Sequence, residues 1–334
     1  MGRVFILGAG ASLVGGYPLA LDLWKFVRDS NPHEQRIKQA ASEVTEVMER
    51  LLRIVPPSEP ERPNLEALFT LLDSRDQGVP TPPELQAIDW RGTRPKLMLL
   101  ISGALLLREY QFQEQLRNGS SVAAQALYSW AEYVRATDTI ITFNWDIMHE
   151  AALWRSGKWH YSDGYGFMCT DAPAEAKSPV KILKLHGSAN WAQEDESDCR
   201  PSIEHKATFF RGASDAPSTY LKGAGQWSEG RNLIIPSYLK DVSSNRLLLS
   251  LWSQAAEALE KADQVTVIGF SLNRADALAR YVLGSSLARN NGISEVSVVM
   301  PTDWGHTWGH FCSTIGKARK LHSLRFEDWV CNEE

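Results

Sequence analysis

The chain enters a strand almost at once and leaves it through a glycine turn. The apolar run Val4-Phe5-Ile6-Leu7 ends abruptly in Gly8-Ala9-Gly10-Ala11-Ser12. A short buried strand, a Gly-rich turn and a following helix form a common cradle for a nucleotide phosphate. Glycine lets the backbone turn sharply and approach an anion closely. Ser12 would add a hydroxyl, and the following helix its positive end. The same G-x-G after a strand also occurs as plain turn chemistry. The spacing excludes two common phosphate loops. A dehydrogenase-type G-x-G-x-x-G needs a third glycine where this chain has Leu13. Its acidic ribose reader should end a second strand, whereas Leu19 to Arg28 reads as an amphipathic helix with Leu19, Leu23, Phe26 and Val27 on one side. No G-x-x-x-x-G-K followed by Ser or Thr occurs, which removes the P-loop NTPases.

The 334 residues suffice for one large domain or two. A net charge of −5 and the lack of a long basic block argue against a dedicated nucleic-acid binder. The 12 tryptophans could stack on nucleotides, although scattered tryptophan more often serves core or interface. Cys169, Cys199, Cys312 and Cys331 form no C-x-x-C pair, so no zinc ribbon or redox motif can be drawn and no metal is expected. No signal peptide precedes the first strand, and no apolar run reaches the roughly 18 residues of a membrane span. The expectation is a reduced, soluble, cytoplasmic protein.

Short apolar runs at 3–8, 138–143, 180–186, 232–236, 264–269 and 294–300 read as strands of a parallel sheet buried on both faces. Helical patterns at 145–156, 245–262 and 275–289 lie between them, the layout of a doubly wound α/β domain. Residues 34–54, 64–75, 93–117 and 120–135 all read as helices with no convincing strand among them. The expected organisation is therefore an α/β domain of 1–30 plus 136–334, interrupted by a helical subdomain or cap at 31–135. A polar, Gly/Ser-rich stretch at about 190–231 reads as a loop region or a small β-rich flap.

Ligands of an open parallel sheet bind beyond the carboxyl ends of its strands. The strand candidates end in Gly8 to Ser12, Phe143-Asn144-Trp145-Asp146, His186-Gly187-Ser188, Pro236-Ser237-Tyr238-Leu239-Lys240, Gly269-Phe270-Ser271 and Met300-Pro301-Thr302. Polar or small residues stand at every such ending, and several convergent polar endings describe a pocket.

This ordered set resembles the NAD-binding fold of sirtuins. The matching elements are G-A-G-A-S with Gly16-Tyr17-Pro18 downstream, then F-N-W-D, then L-H-G-S, then I-G-F-S-L. The sirtuin pattern runs G-A-G-x-S, G-I-P, Q-N-x-D, H-G and G-T-S, and the resemblance spans residues 4 to about 301. The departures are equally specific. Sirtuin deacylases carry four zinc-binding cysteines after H-G, where this chain holds only Cys199, and the peptide-pairing strand reads I-I-P-S-Y-L-K. The helical insertion is foreign to deacylases too. With these departures the chain looks like the sirtuin-like NAD hydrolases of prokaryotic antiviral defence. Asn64-Leu65-Glu66-Ala67-Leu68-Phe69 resembles a helix start common in that family.

The resemblance implies cleavage of NAD⁺ to ADP-ribose and nicotinamide, with NAD as substrate and no metal. It implies His186, Asn144 and Asp146 as catalytic residues: a base or ribose orienter, a water holder and a carboxamide ligand. Ser12 and the amides of Ala9, Gly10 and Ala11 would meet the diphosphate, Gly269 and Ser271 would border the adenosine ribose, and Gly8, Pro18 and Gly187 would complete the NAD-binding set. It also implies a homo-oligomer and control by an activating partner, such as an ATPase, a nucleic-acid sensor or a phage component. Plain structural roles stand beside these. His186 could cap a neighbouring carbonyl, and Asn144 or Ser271 could cap a helix. Asp276 and Arg280 read as a surface pair one helical turn apart, and Lys240 as solvated. His306 and His310 lack an accompanying carboxylate. The alternatives are an NAD-dependent deacylase or ADP-ribosyl transferase, and a non-catalytic NAD or ADP-ribose sensor that controls a partner.

Overall fold

The structure, a computed structural model, describes residues 2–30, 35–54, 69–70, 74, 78, 83, 86, 90–117, 121–169, 177–192, 202–203, 231–233, 245–272, 276–301, 309, 311, 313 and 320–332. Its centre is a six-stranded sheet in which every neighbouring pair is parallel. The strands are β1 (Gly2–Leu7), β2 (Thr139–Thr142), β3 (Lys181–Lys184), β7 (Ala262–Ile268), β8 (Glu295–Val299) and β9 (Lys320–His322), in the order β3-β2-β1-β7-β8-β9. Flanking helices make this a doubly wound α/β fold. The chain winds outward from β1 through β2 to β3, then returns to β7 on the other side of β1. That reversal between β1 and β7 opens a crevice at the carboxyl ends of the strands.

The apolar runs of the sequence match this burial. Val4, Phe5, Ile6 and Leu7 are all buried, as are Val265, Val267 and Ile268 across the β1–β7 register. Strands covered on both faces need side chains that are apolar both ways. Phe5 meets Trp130 edge-on at 5.0 Å, which seats α4 (Val122–Tyr133) on the sheet. Ser121 caps α4 by accepting from Ala124 N. Behind β1 and β3 lies α6 (Arg246–Lys261), capped by Asn245 and packed against α7 (Ala277–Arg289). A last short helix, α8 (Phe326–Val330), packs on α4.

Several expectations need correction. The described part of the 232–236 run does not join the parallel sheet: β6 (Arg231–Leu233) pairs antiparallel with β4 (Gly187–Ala192), which also pairs with β5 (Ser202–Ile203), while residues 234–236 lie outside the described residues. The sixth parallel strand is instead β9, absent from the sequence reading because Lys-Leu-His is an exposed edge with no apolar run. The helix expected at Leu19 to Arg28 is a 3-10 turn at Ala20–Asp22 followed by α1 (Leu23–Asp29), which buries Leu23, Trp24 and Val27. The turn after β1 leads into a seven-residue 3-10 helix, Ala9–Gly15, that ends at Gly16 with a positive φ of 75°. Within the inserted stretch, α2 (Gln35–Ile54) packs against α3 (Trp90–Arg117). Residues 64–68 lie outside the described residues, while Phe69 is fully buried.

Candidate functional site

The floor of the crevice is backbone packed on backbone. Gly8 N donates to Ile268 O at 3.0 Å, Gly10 N to Gly269 O at 2.9 Å, and Gly269 N to Val299 O at 3.0 Å. A Cβ on Gly8 would stand 2.5 Å from Phe270 Cα, and one on Gly10 would stand 2.8 Å from Gly269 Cα. Gly269 itself has a φ of +60°, and its Cβ would lie 2.3 Å from Ala11 N. Glycine is therefore demanded here by the contact between the β1 and β7 turns. The glycines thus serve close packing of the two turns, and fewer backbone amides are left for a diphosphate. The Gly10 N–H is spent on Gly269, and the Ala11 N–H on Gly8 O at 2.9 Å. That leaves the Ala9 N–H, which opens the 3-10 helix, and the proton of the buried Ser12 hydroxyl as donors of this turn with no acceptor among the described residues.

Asn144 joins the second strand ending to this floor. Its Nδ2 donates to Gly8 O at 2.9 Å and to Ser12 Oγ at 3.0 Å. Both amide protons are thus engaged, and among the described residues Oδ1 has no hydrogen bond. Asn144 does not cap a helix. The next helix, α5 (Met148–Arg155), starts four residues later, and it is Asp146 whose Oδ1 accepts from Met148 N at 3.2 Å. Asp146 is buried, and its carbonyl accepts from Lys184 Nζ. That ammonium, with no exposed side-chain surface, also pairs with Glu150 at 2.6 Å. The two lysines that interrupt the apolar run Lys181-Ile182-Leu183-Lys184 therefore part company: Lys181 reaches Asp163, and Lys184 holds the F-N-W-D loop from beneath.

His186 stands at the third ending. Trp145 Nε1 donates to its carbonyl at 2.9 Å, and Gly187 turns the chain with a φ of 75° into β4. The imidazole packs edge-on against Phe143, ring centres 5.1 Å apart, with Trp252 on another side. Phe143 in turn stacks on Phe270 at 4.3 Å. These rings line the way from β3 across β2 and β1 to β7. At its far side, His186 Nε2 lies 3.1 Å from Asp276 Oδ2, at ion-pair distance, although the ring N–H is not aligned for a hydrogen bond. Asp276 was expected to sit on a helix surface with Arg280. It is instead 5% exposed, and its other oxygen caps α7 by accepting from Ala279 N at 3.2 Å. An Asp at the start of the 275–289 helical pattern is the signal available in the sequence. What it faces across the sheet is not.

The remaining predicted residues lie at the margins. Ser271 is exposed beside the buried Leu272, a non-glycine residue with a φ of 50°. Pro18 is half-buried. Its neighbour Tyr17 is buried and hydrogen-bonds Glu109 of α3 through its hydroxyl. Glu109 also accepts from Gln113, and Arg108 donates to Gly15 O at 2.7 Å. Burial, more than any nearby charge, pushes the Glu109 carboxyl up to about 7. Burial likewise lowers His149, next to the Ala11 backbone, to about 4. Lys240, His306, His310, Cys199 and Cys312 lie outside the described residues. Among the described residues no group of three or more His, Cys, Asp and Glu could hold a metal ion, and no helix is long and apolar enough to cross a membrane.

His186, Asn144, Asp146, Ser12 and the glycines of both turns thus stand at the carboxyl ends of β1, β2, β3 and β7, with Asp276 added to them. Compared with known proteins, the chain matches no family model and no curated sequence.

Proposed function

We propose that the chain binds NAD⁺ across the carboxyl ends of β1, β2, β3 and β7 and hydrolyses its nicotinamide–ribose bond. The strongest support is the 3.1 Å approach of His186 and Asp276 at the carboxyl ends of the strands, with the amide of Asn144 clamped onto the turn after β1. The leaving group departs neutral from a cationic nicotinamide, through an oxocarbenium-like transition state. Holding the ribose and admitting one water is most of the work required. His186 takes the proton of that water or of a ribose hydroxyl. The Oδ1 of Asn144, which has no hydrogen bond among the described residues, accepts from the other proton of the attacking water and orients it. Asp146 holds the carboxamide. The Ser12 hydroxyl and the Ala9 N–H meet the diphosphate. By the resemblance, the protein works as an assembled effector of antiviral defence under the control of a partner.

Purified protein should release nicotinamide from NAD⁺ in the absence of acetylated peptide. His186→Ala should lower that release roughly 10²-fold or more, the usual scale for a general acid–base group. Release only in the presence of acetylated peptide would favour the deacylase. Tight NAD⁺ binding with no nicotinamide from the wild type would favour the sensor.

A further inference from the structure

We infer that Asp276 is the positioning residue for His186: its carboxylate selects the tautomer of the imidazole and so decides which nitrogen can act as the base. The role in turnover rests on the hydrolase reading above; the tautomer itself does not. Asp276 reaches His186 from the other flank of the sheet, since β3 and β7 are separated by β2 and β1. It is rigidly held. Oδ1 accepts from Ala279 N at the first turn of a 13-residue helix, and the positive end of that helix favours a negative charge there. Oδ2 lies 3.1 Å from His186 Nε2, at ion-pair distance, with the ring N–H not aligned for a hydrogen bond. A carboxylate oxygen that close repels a lone pair on Nε2, so it favours the proton on Nε2 and leaves Nδ1 basic. Phe143 packs edge-on against the ring at 5.1 Å, with Trp252 6.4 Å from it centre to centre.

In hydrolysis the balance is simple. The water oxygen bonds to the ribose C1′ as the bond from C1′ to the nicotinamide nitrogen breaks, and the nitrogen keeps the electron pair. The water proton passes to Nδ1 and then to solvent. A ring locked in the other tautomer would present a donor where the reaction needs an acceptor.

Asp276→Asn separates this role from helix capping, because Asn caps a helix as well as Asp does. The new amide would donate to Nε2 and push the proton to Nδ1. The direct readout is the nitrogen chemical shift of the His186 ring above neutral pH, assigned by its loss in His186→Gln. The wild type should carry its proton on Nε2 and Asp276→Asn on Nδ1, with the thermal midpoint nearly unchanged. Turnover should fall on the order of 10²–10⁴-fold while NAD⁺ affinity stays within a few-fold. A wild-type ring protonated on Nδ1, or a variant with the wild-type tautomer, would overturn the inference. So would full turnover in Asp276→Asn. If the wild type cleaves no NAD⁺, the hydrolase reading fails and the ring spectrum alone still decides whether Asp276 sets the tautomer.

Discussion

Asn144 shows how much a single side chain is asked to do here. Its Nδ2 bridges Gly8 O and Ser12 Oγ, tying the end of β2 to the turn after β1. A carboxylate in its place would set an oxygen against the Gly8 carbonyl, which cannot donate. Asn144→Asp should therefore cost about 1–3 kcal/mol, the usual penalty for a buried polar group left without its partner. Urea unfolding would measure it. Were Asn144 only a helix cap, Asp would be tolerated without loss, and an unchanged midpoint would count against the clamp. The glycines carry a related lesson. Because Gly10 and Gly269 touch through their backbones, a bulky residue at either site disturbs the fold as well as any ligand. Loss of binding in such a variant says little about phosphate.

At the scale of elements, β3 and α5 are bound together by one buried ion pair. Lys184 of β3 and Glu150 of α5 are 0% and 2% exposed in their side chains, and the same ammonium holds the Asp146 carbonyl. Burial raises the Glu150 carboxyl, and the lysine opposes that rise. Removing one partner leaves the other charge stranded in an apolar layer. Lys184→Met should destabilise by about 3–5 kcal/mol, and adding Glu150→Leu should restore most of it. Denaturant midpoints of the single and double variants test this. Equal losses in both would mean that the pair contributes through shape rather than charge. A long side chain from a strand read as apolar is thus what supports the loop bearing Asn144 and Asp146.

Across the whole molecule, the long helix α3 meets the site through Glu109 on Tyr17 and Arg108 on Gly15 O. The inserted helices are thereby coupled to the turn that follows β1, and that coupling is sensitive to pH. Glu109 ionises near an ordinary 4.5 when unfolded and near about 7 when folded. Its contribution is fully present below the unfolded value and is lost as pH rises through the folded one. The loss amounts to about 3 kcal/mol. His149 runs the other way. Its folded value of about 4, against an ordinary 6.5, makes its contribution present above the unfolded value and lost as pH falls. The difference in unfolding free energy between Glu109→Gln and wild type isolates the first effect. It should increase in favour of the variant from about pH 4.5 to about pH 7 and level off above that. A difference independent of pH would show that Glu109 is not the titrating group.

Strand and turn identity followed from local chemistry. Val4 to Leu7 is apolar on every side because both faces of β1 are covered, and such a run is visible without neighbours. The endings at Gly8, Asn144, His186 and Gly269 were legible for the same reason: a parallel sheet sends its loops to one edge. What depends on distant neighbours was not legible. β9 is an exposed edge of three residues whose only mark is its pairing to β8. The pairing of β6 with β4 depends on the turn at Gly187. Gly10 and Gly269 are close-packed because two loops meet, and neither sequence context names the other. The Asp276 carboxylate approaches His186 across two intervening strands, β2 and β1, a relation set by sheet order and not by spacing along the chain. Sequence determined where the chemistry-bearing residues would gather, since periodicity and turn residues act within a few positions. Tertiary structure decided which of them touch, since contact across a sheet depends on how the strands are ordered.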